Sequence, residues 1–296
     1  MLLGAWPAPS RAQAQATLRL SFPEVAEAVQ CARILAAAKD GPYRIEPEGE
    51  GVPELTLKLN FPELTLIFLG FFNYRSSEDV LQAIQLPFVF RDLGHFQAFA
   101  RSALLEAEAE KAEGIRPLAL IYAGTSYMMG KRPLTSADDL KRASKAFFHP
   151  AFDGRPENTE RYSRFVSRVK SEIEDAASVT PIQAVRAGLA EVVPYLTRVD
   201  IQRYFMALAV NADMWSGMSP DRRQALSAWA KRMADRCSAR NFDAETRAIE
   251  VLKKQGVRIV EPDESFRSFW PHWPDPSNGI SSEEAKAFIR KIQAIP

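Results

Sequence analysis

Ser219-Pro220 opens the stretch that most limits what this chain can fold into. Serine accepts hydrogen bonds at a helix N-cap, proline fits the first helical position, and Asp221 complements the positive end of the dipole. Leu226, Trp229, Ala230, Met233 and Cys237 then recur at helical spacing. Helical composition runs on to Gln255, and Gly256 can supply a left-handed C-terminal cap. The spacing predicts one helix of about 36 residues and roughly 54 Å. That is longer than a small domain is wide, so the helix is expected to span two. The chain has 296 residues, 46% of them hydrophobic, which is enough for two domains with real cores.

Strands and helices alternate on both sides of this run. Ala16–Leu20 reads as a first strand, and Phe22–Lys39 as a helix with Val25, Ala28, Val29, Ala32, Leu35 and Ala36 on one face. Leu55–Leu59 and Leu64–Phe68 read as strands around Asn60-Phe-Pro62. An amphipathic helix is predicted near Leu93–Ala112, a buried strand over Arg116–Tyr122, and a short helix capped within Thr135–Asp138. Further helices are predicted over Glu157–Ala176 and Pro181–Leu189, and strands over Phe205–Val210 and Val257–Val260. The class is therefore α/β with covered sheets.

Several functions are excluded early. Lys+Arg total 38 against 37 Asp+Glu, so no global field draws the chain to nucleic acid or an anionic membrane. Apolar stretches such as Leu64–Phe72 fall far short of the ~20 residues a membrane helix needs. The three histidines, His95, His149 and His272, are scattered without metal-ligand spacing, so no metal and no cofactor are expected. No GxGxxG, GxxxxGK[ST] or GxSxG occurs, so the common enzyme motifs are missing. Cys31 and Cys237 read either as two buried thiols or as a bridge between distant segments. Ala12-Gln-Ala14 has the small-x-small form of an export cleavage site, placing the mature start near Gln15; a disordered tail is the other reading.

Six stretches, in order, carry a resemblance to a known family. Leu86-Pro-Phe-Val-Phe-Arg91 is similar to "LPFLFRD", and Gly114-Ile-Arg-Pro-Leu-Ala-Leu120 to a "GI+VL" strand. Lys131-Arg-Pro-Leu-Thr-Ser-Ala-Asp-Asp-Leu-Lys141 resembles "KRPIKTPEDLKG", and Ala184-Val-Arg-Ala-Gly188 resembles "ALQTG". The segment from Val210 to Gln224 resembles "VNKKAWDSLPEDLQ", and Leu252–Val260 resembles "LKKAGVKVV". The family is that of DctP-type solute-binding subunits of TRAP transporters, and the resemblance covers most of residues 16–270.

The resemblance implies a two-lobed periplasmic receptor and not an enzyme. It implies capture of a small, usually acidic solute and delivery to TRAP-type permease subunits, by a monomer that does not insert into the membrane. It also implies a chain course: a signal remnant or tail over 1–14; lobe I from 15–122 and about 204–243; lobe II from 123–203 and about 244–275; and a C-terminal helix in 276–296 packing back across the lobes. The alternative is a relative without the usual carboxylate clamp, acting as a sensory or protein-interaction module.

This chain departs from the family at its charged positions. The arginine of the family's "KIRVP" strand falls on Phe147, or on Ala146 without a gap, and the arginine of its "GxR" turn falls on Ser126. Lys145 and His149 flank the vacant position; they read as anion partners, or as a surface charge and a loop residue before Pro150. Asn73, Tyr74, Tyr122, Tyr127 and Phe147 read as pocket walls, with core packing as the other reading for the aromatics, above all for Tyr122 inside an apolar strand. Arg155 and Arg186 are further candidates, or else solvated charges. Phe266–Trp273 is an aromatic cluster suited to packing between lobes. The expected ligand is larger and more apolar than a C4-dicarboxylate.

Overall fold

The computed structural model describes residues 16–23, 25–50, 64–68, 83–84, 86–111, 115–147, 156–269, 275–277, 280 and 282–296. The expectations for the first fourteen residues and for the strand over 55–59 lie outside these.

Two long strands organise the chain. β1 (Thr17–Pro23), β2 (Arg44–Glu50) and β3 (Leu64–Phe68) precede β4 (Ile115–Gly130). β5 (Lys145–Phe147) and β6 (Ala176–Val179) precede β7 (Tyr195–Asn211), and β8 (Arg258–Val260) follows it. The strand order is β2-β1-β3-β7-β4-β6-β5, with β8 on β7. Lobe I uses β1–β3, the first half of β4 and the second half of β7. Lobe II uses the remaining halves with β5, β6 and β8. Among the described strands, β4 and β7 continue through both lobes, as an antiparallel pair. The predicted strands over Arg116–Tyr122 and Phe205–Val210 are thus the lobe I halves of longer strands. Their lobe II halves carry polar residues such as Thr125, Ser126 and Arg203 in a strand, which breaks the apolar pattern.

Pairing registers fix where the strands point. Phe68, at the end of β3, stands opposite Met206, and Val179, at the end of β6, opposite Tyr127. β1 is parallel to β3, β5 parallel to β6, and β8 parallel to β7. The carboxyl ends of both lobes' strands therefore face each other across the middle of β4 and β7. In open α/β sheets such ends form the ligand crevice.

Helices cover both faces. α1 (Ala26–Ala37) packs on lobe I. α2 (Leu93–Ala100) and α3 (Ala103–Glu110) replace the one helix predicted near Leu93–Ala112. Ser102 interrupts it because its hydroxyl accepts from Leu105 N and starts a new helix. α4 (Ala137–Arg142) is capped by Ser136, as the sequence signals. α5 (Pro156–Lys170) ends before Glu172, whose φ of 60° closes the turn, so Ala176 enters a buried strand and not the predicted helix. α6 (Pro181–Arg186) ends short of Gly188, and α7 (Ala212–Gly217) follows β7.

α8 (Pro220–Lys254) is the predicted spanning helix, 35 residues without a break and capped by Ser219. Its Leu226–Cys237 stripe lies in the lobe I core, and Leu252 lies in a lobe II core. The two cysteines are a bridge: Cys31 on α1 joins Cys237 on α8, with Cα atoms 5.1 Å apart. The buried side of α9 (Glu283–Gln293), with Phe288 and Ile289, joins the lobe I cluster of Phe96, Phe99 and Phe205. Phe266, from the predicted aromatic cluster, is buried in lobe II beside Leu134 and Leu140.

Candidate functional site

The lobes meet where β4 runs from Tyr122 to Tyr127. Gly124 has a φ of 126°, a conformation other residues seldom adopt, and the pairing register shifts on both sides of it. β6 joins β4 only from Tyr127 onward, so in lobe I this edge of β4 has no strand partner among the described residues. α8 covers it instead. Tyr122 N–H donates to Ser238 Oγ at 3.0 Å, and Asn241 Nδ2 donates to the Tyr122 carbonyl at 2.8 Å. Buried backbone groups need partners, and the helix side chains provide them.

One turn further along α8, the buried Glu245 carboxylate accepts three bonds from the same strand. Thr125 N–H donates at 2.7 Å, Tyr122 Oη at 2.8 Å and Tyr127 Oη at 3.1 Å. Burial and the neighbouring Glu245 charge push the Tyr122 hydroxyl well above its ordinary pKa of 10.0.

The strand alternation separates two predicted site residues. Tyr127 turns to Glu245 and the side of the sheet that carries Tyr122. Ser126 turns the other way, where its hydroxyl lies 2.5 Å from Ser178 Oγ and is hydrogen-bonded to Tyr204. Burial pushes Tyr204 up to about 12. Lys145 is turned inward: Nζ donates to the carbonyls of Leu140 and Ala143, the latter at 2.7 Å, and stands 4.9 Å over the Phe269 ring. Its pKa is lowered by burial. The Phe147 backbone pairs with Ser178 at the end of β5. Asn73, Tyr74, His149 and Arg155 lie outside the described residues. Tyr122 is core, packed with Phe205.

Two of the cavities along α8 lie near the crossing. One of about 760 Å³ takes in Tyr127 and Glu245, with Phe88 and Arg91 from lobe I and Arg198 and Ile259 from lobe II. Its cations are engaged: Arg91 donates to the Gln293 and Ile295 carbonyls at 3.0 and 2.7 Å, Arg198 is 3.7 Å from Glu261, and Lys253 is 2.7 Å from Glu250. The other, of about 270 Å³, lies between α1, α6 and α8, and Arg186 lines it.

Sequence reasoning did not single out Ser178, Tyr204 or Glu245. A signal for Glu245 existed: Ser238, Asn241 and Glu245 carry polar groups at helical spacing beyond the apolar stripe. Polar residues on a helix face that remains buried need partners on the neighbouring element.

Two lobes of parallel strands, joined by an antiparallel pair and a helix, define a solute-binding protein of the two-lobed type. The model of bacterial extracellular solute-binding protein family 7, DctP, matches residues 56–144 and 170–276, and the chain belongs to this family. The family is one of substrate-binding receptors. Solved TRAP periplasmic solute binding proteins share the fold. An apo open structure from Escherichia fergusonii has a TM-score of 0.73 at 17% identity, covering 95% of this chain and 100% of that one. One from Pseudomonas putida F1 with bound D-glucuronate scores 0.66 at 17% identity, covering 94% and 97%. One from Roseobacter denitrificans OCh 114 with bound L-galactonate scores 0.65 at 18% identity, covering 95% and 99%. At these identities the likeness concerns the fold. No curated protein matches the sequence. No helix among the described residues is long and apolar enough to cross a membrane.

Proposed function

We propose that this protein is a periplasmic receptor that takes a small organic acid into the cleft between its lobes and delivers it to a TRAP-type permease. The observation that carries this reading is the convergence of strand ends. β1 and β3 of lobe I and β5, β6 and β8 of lobe II all end facing the crossing, through which β4, β7 and α8 continue. A few strands and one helix make a hinge, and lobes rotating about it enclose what lies between them. Ser126, Ser178 and Tyr204 put hydroxyl groups at this crossing. Asn73 and Tyr74 follow β3 in the chain, and Phe147 and His149 end or follow β5, so their sequence positions suit the same cleft. Relatives of the same fold hold acidic sugars. The Cys31–Cys237 bridge agrees with an oxidising compartment.

Calorimetry of the full chain against D-glucuronate, L-galactonate, mandelate and 4-hydroxybenzoate tests the reading. One or more acids is expected to bind at micromolar Kd or tighter. Millimolar or absent binding across a wide panel of organic acids overturns it.

A further inference from the structure

Phe88 belongs to lobe I by its neighbours in the chain and to lobe II by its packing. Val89 and Phe90 are buried in the lobe I cluster of Phe96 and Phe205, and Leu86 packs against it. The half-buried Phe88 ring packs instead on the lobe II cluster that holds Met128, Ile201 and Phe266. The backbone makes this reversal. Phe88 has a φ of 65°, a left-handed conformation that a bulky residue rarely adopts. Such a conformation persists only where its surroundings impose it. Here the two carbonyls that follow are held. Arg203, buried at the crossing, donates from Nη1 to the Phe90 carbonyl at 2.5 Å, and the Gln293 side chain of α9 donates to the Val89 carbonyl.

This contact lies across the sheet from the hydroxyl groups of the crossing. Ile201, Arg203 and Phe205 alternate along β7 with Gln202 and Tyr204, so the first three share one side. Tyr204, bonded to Ser126, takes the other side and packs in the cluster that includes Ala28 and Cys31 of α1. Rotation about β4 and β7 that brings the lobes together on the Tyr204 side draws them apart on the Ile201 side.

We infer that Phe88 is a strut that holds the lobes open, its ring leaving the lobe II cluster when the cleft closes. The inference rests on the lobe motion of the receptor reading above and assigns that motion its resting state. Apolar burial of the ring on lobe II favours the open arrangement, so a solute that closes the cleft supplies the free energy of lifting the ring away. The apparent affinity for any such solute is reduced by the factor by which the strut depletes the closed form.

The test measures lobe separation in the full chain without any ligand. Exposed Arg33 on α1 and exposed Glu191 beyond α6 are replaced by p-acetylphenylalanine and spin-labelled there, which leaves the Cys31–Cys237 bridge intact. Pulsed electron paramagnetic resonance is expected to find mainly one long distance. Phe88→Gly, which suits a left-handed backbone, and Phe88→Ala are each expected to raise the population of a shorter distance about 5-fold or more. Phe269→Ala, which removes a lobe II ring from the same cluster, is expected to leave the distances as in the wild type. Thermal melts verify that each variant is folded. Unchanged distances in both Phe88 variants overturn the strut. An equal shift in Phe269→Ala also overturns it, since loosening of lobe II then accounts for the change. So does a wild type that holds the shorter distance throughout. Failure of acid binding in the calorimetry above overturns the receptor reading alone, because this readout uses no ligand.

Discussion

Glu245 on α8 accepts the backbone N–H of Thr125 on β4 at 2.7 Å, which ties the spanning helix to the strand at the point where the lobes join. Tyr122 and Tyr127 complete the clamp. Removing the carboxylate strands three donors, although the adjoining cavity admits water to some of them. Glu245→Ala is expected to cost about 2–4 kcal/mol, and Glu245→Gln less, since it keeps one acceptor. Urea denaturation measures both. An alanine variant as stable as the wild type would show that the clamp carries no net stability.

The Tyr204 hydroxyl, pushed up to about 12, makes stability fall in alkali. Its unfolded value is about 10, so the folded state holds the proton more tightly. The contribution is complete below pH 10 and is lost as pH rises through 12. A shift of that size corresponds to about 2–3 kcal/mol. Tyr204→Phe cannot ionise, so its stability is expected to fall less than the wild type's between pH 9.5 and 12. Identical pH slopes for the two proteins would refute the assignment.

His95 predicts the opposite sign at acid pH. It is buried, with Nε2 2.9 Å from the Ile292 carbonyl of α9 and Nδ1 accepting Arg91 N–H at 3.2 Å, which defines a neutral ring. Burial lowers its pKa from 6.5. The contribution is present above pH 6.5 and is lost as pH falls through the lowered value. Relative to its intrinsic rate, hydrogen exchange in residues 283–293 is therefore expected to show an acceleration between pH 7 and 5. His95→Gln is expected to remove that acceleration.

The Cys31–Cys237 bridge closes a loop with a sequence separation of 206. Replacing both cysteines with serine is expected to cost about 2–4 kcal/mol in chemical denaturation. Ellman titration of the unreduced, denatured protein is expected to find no free thiol. Two free thiols in periplasmic material would contradict the bridge.

Succinate, malate and fumarate are expected to bind at least about 10-fold more weakly than the best monocarboxylate in the panel. By the family resemblance, its two arginine positions fall on Ser126 and on Phe147 or Ala146, which leaves a dicarboxylate without a guanidinium clamp there. Micromolar binding of succinate in calorimetry would sink this expectation.

The spanning helix was legible because all of its determinants are local: a Ser-Pro start, apolar residues at helical spacing and a glycine stop. β2 was not legible. Among the described residues it is an edge strand that pairs with β1, and it reads Arg-Ile-Glu-Pro-Glu-Gly-Glu, where Ile45 is buried between exposed Arg44 and Glu46. The candidate site was legible only in part. Ser126 and Tyr127 are adjacent in sequence, yet one sits across the sheet and the other beneath α8, since neighbours in a strand point to opposite faces.

The sequence by itself determined the α/β class and the helix Pro220–Lys254, and it carried the resemblance to the family, because periodicity, caps and motifs are properties of neighbouring residues. Tertiary structure alone decided that Cys31 finds Cys237, that Lys145 turns to backbone carbonyls, and that Glu245 clamps Thr125 from 120 residues away. The physical reason is that partners of buried polar groups are set by which elements pack together, and strand order and sheet twist, which bring them together, leave no mark at short range in the chain.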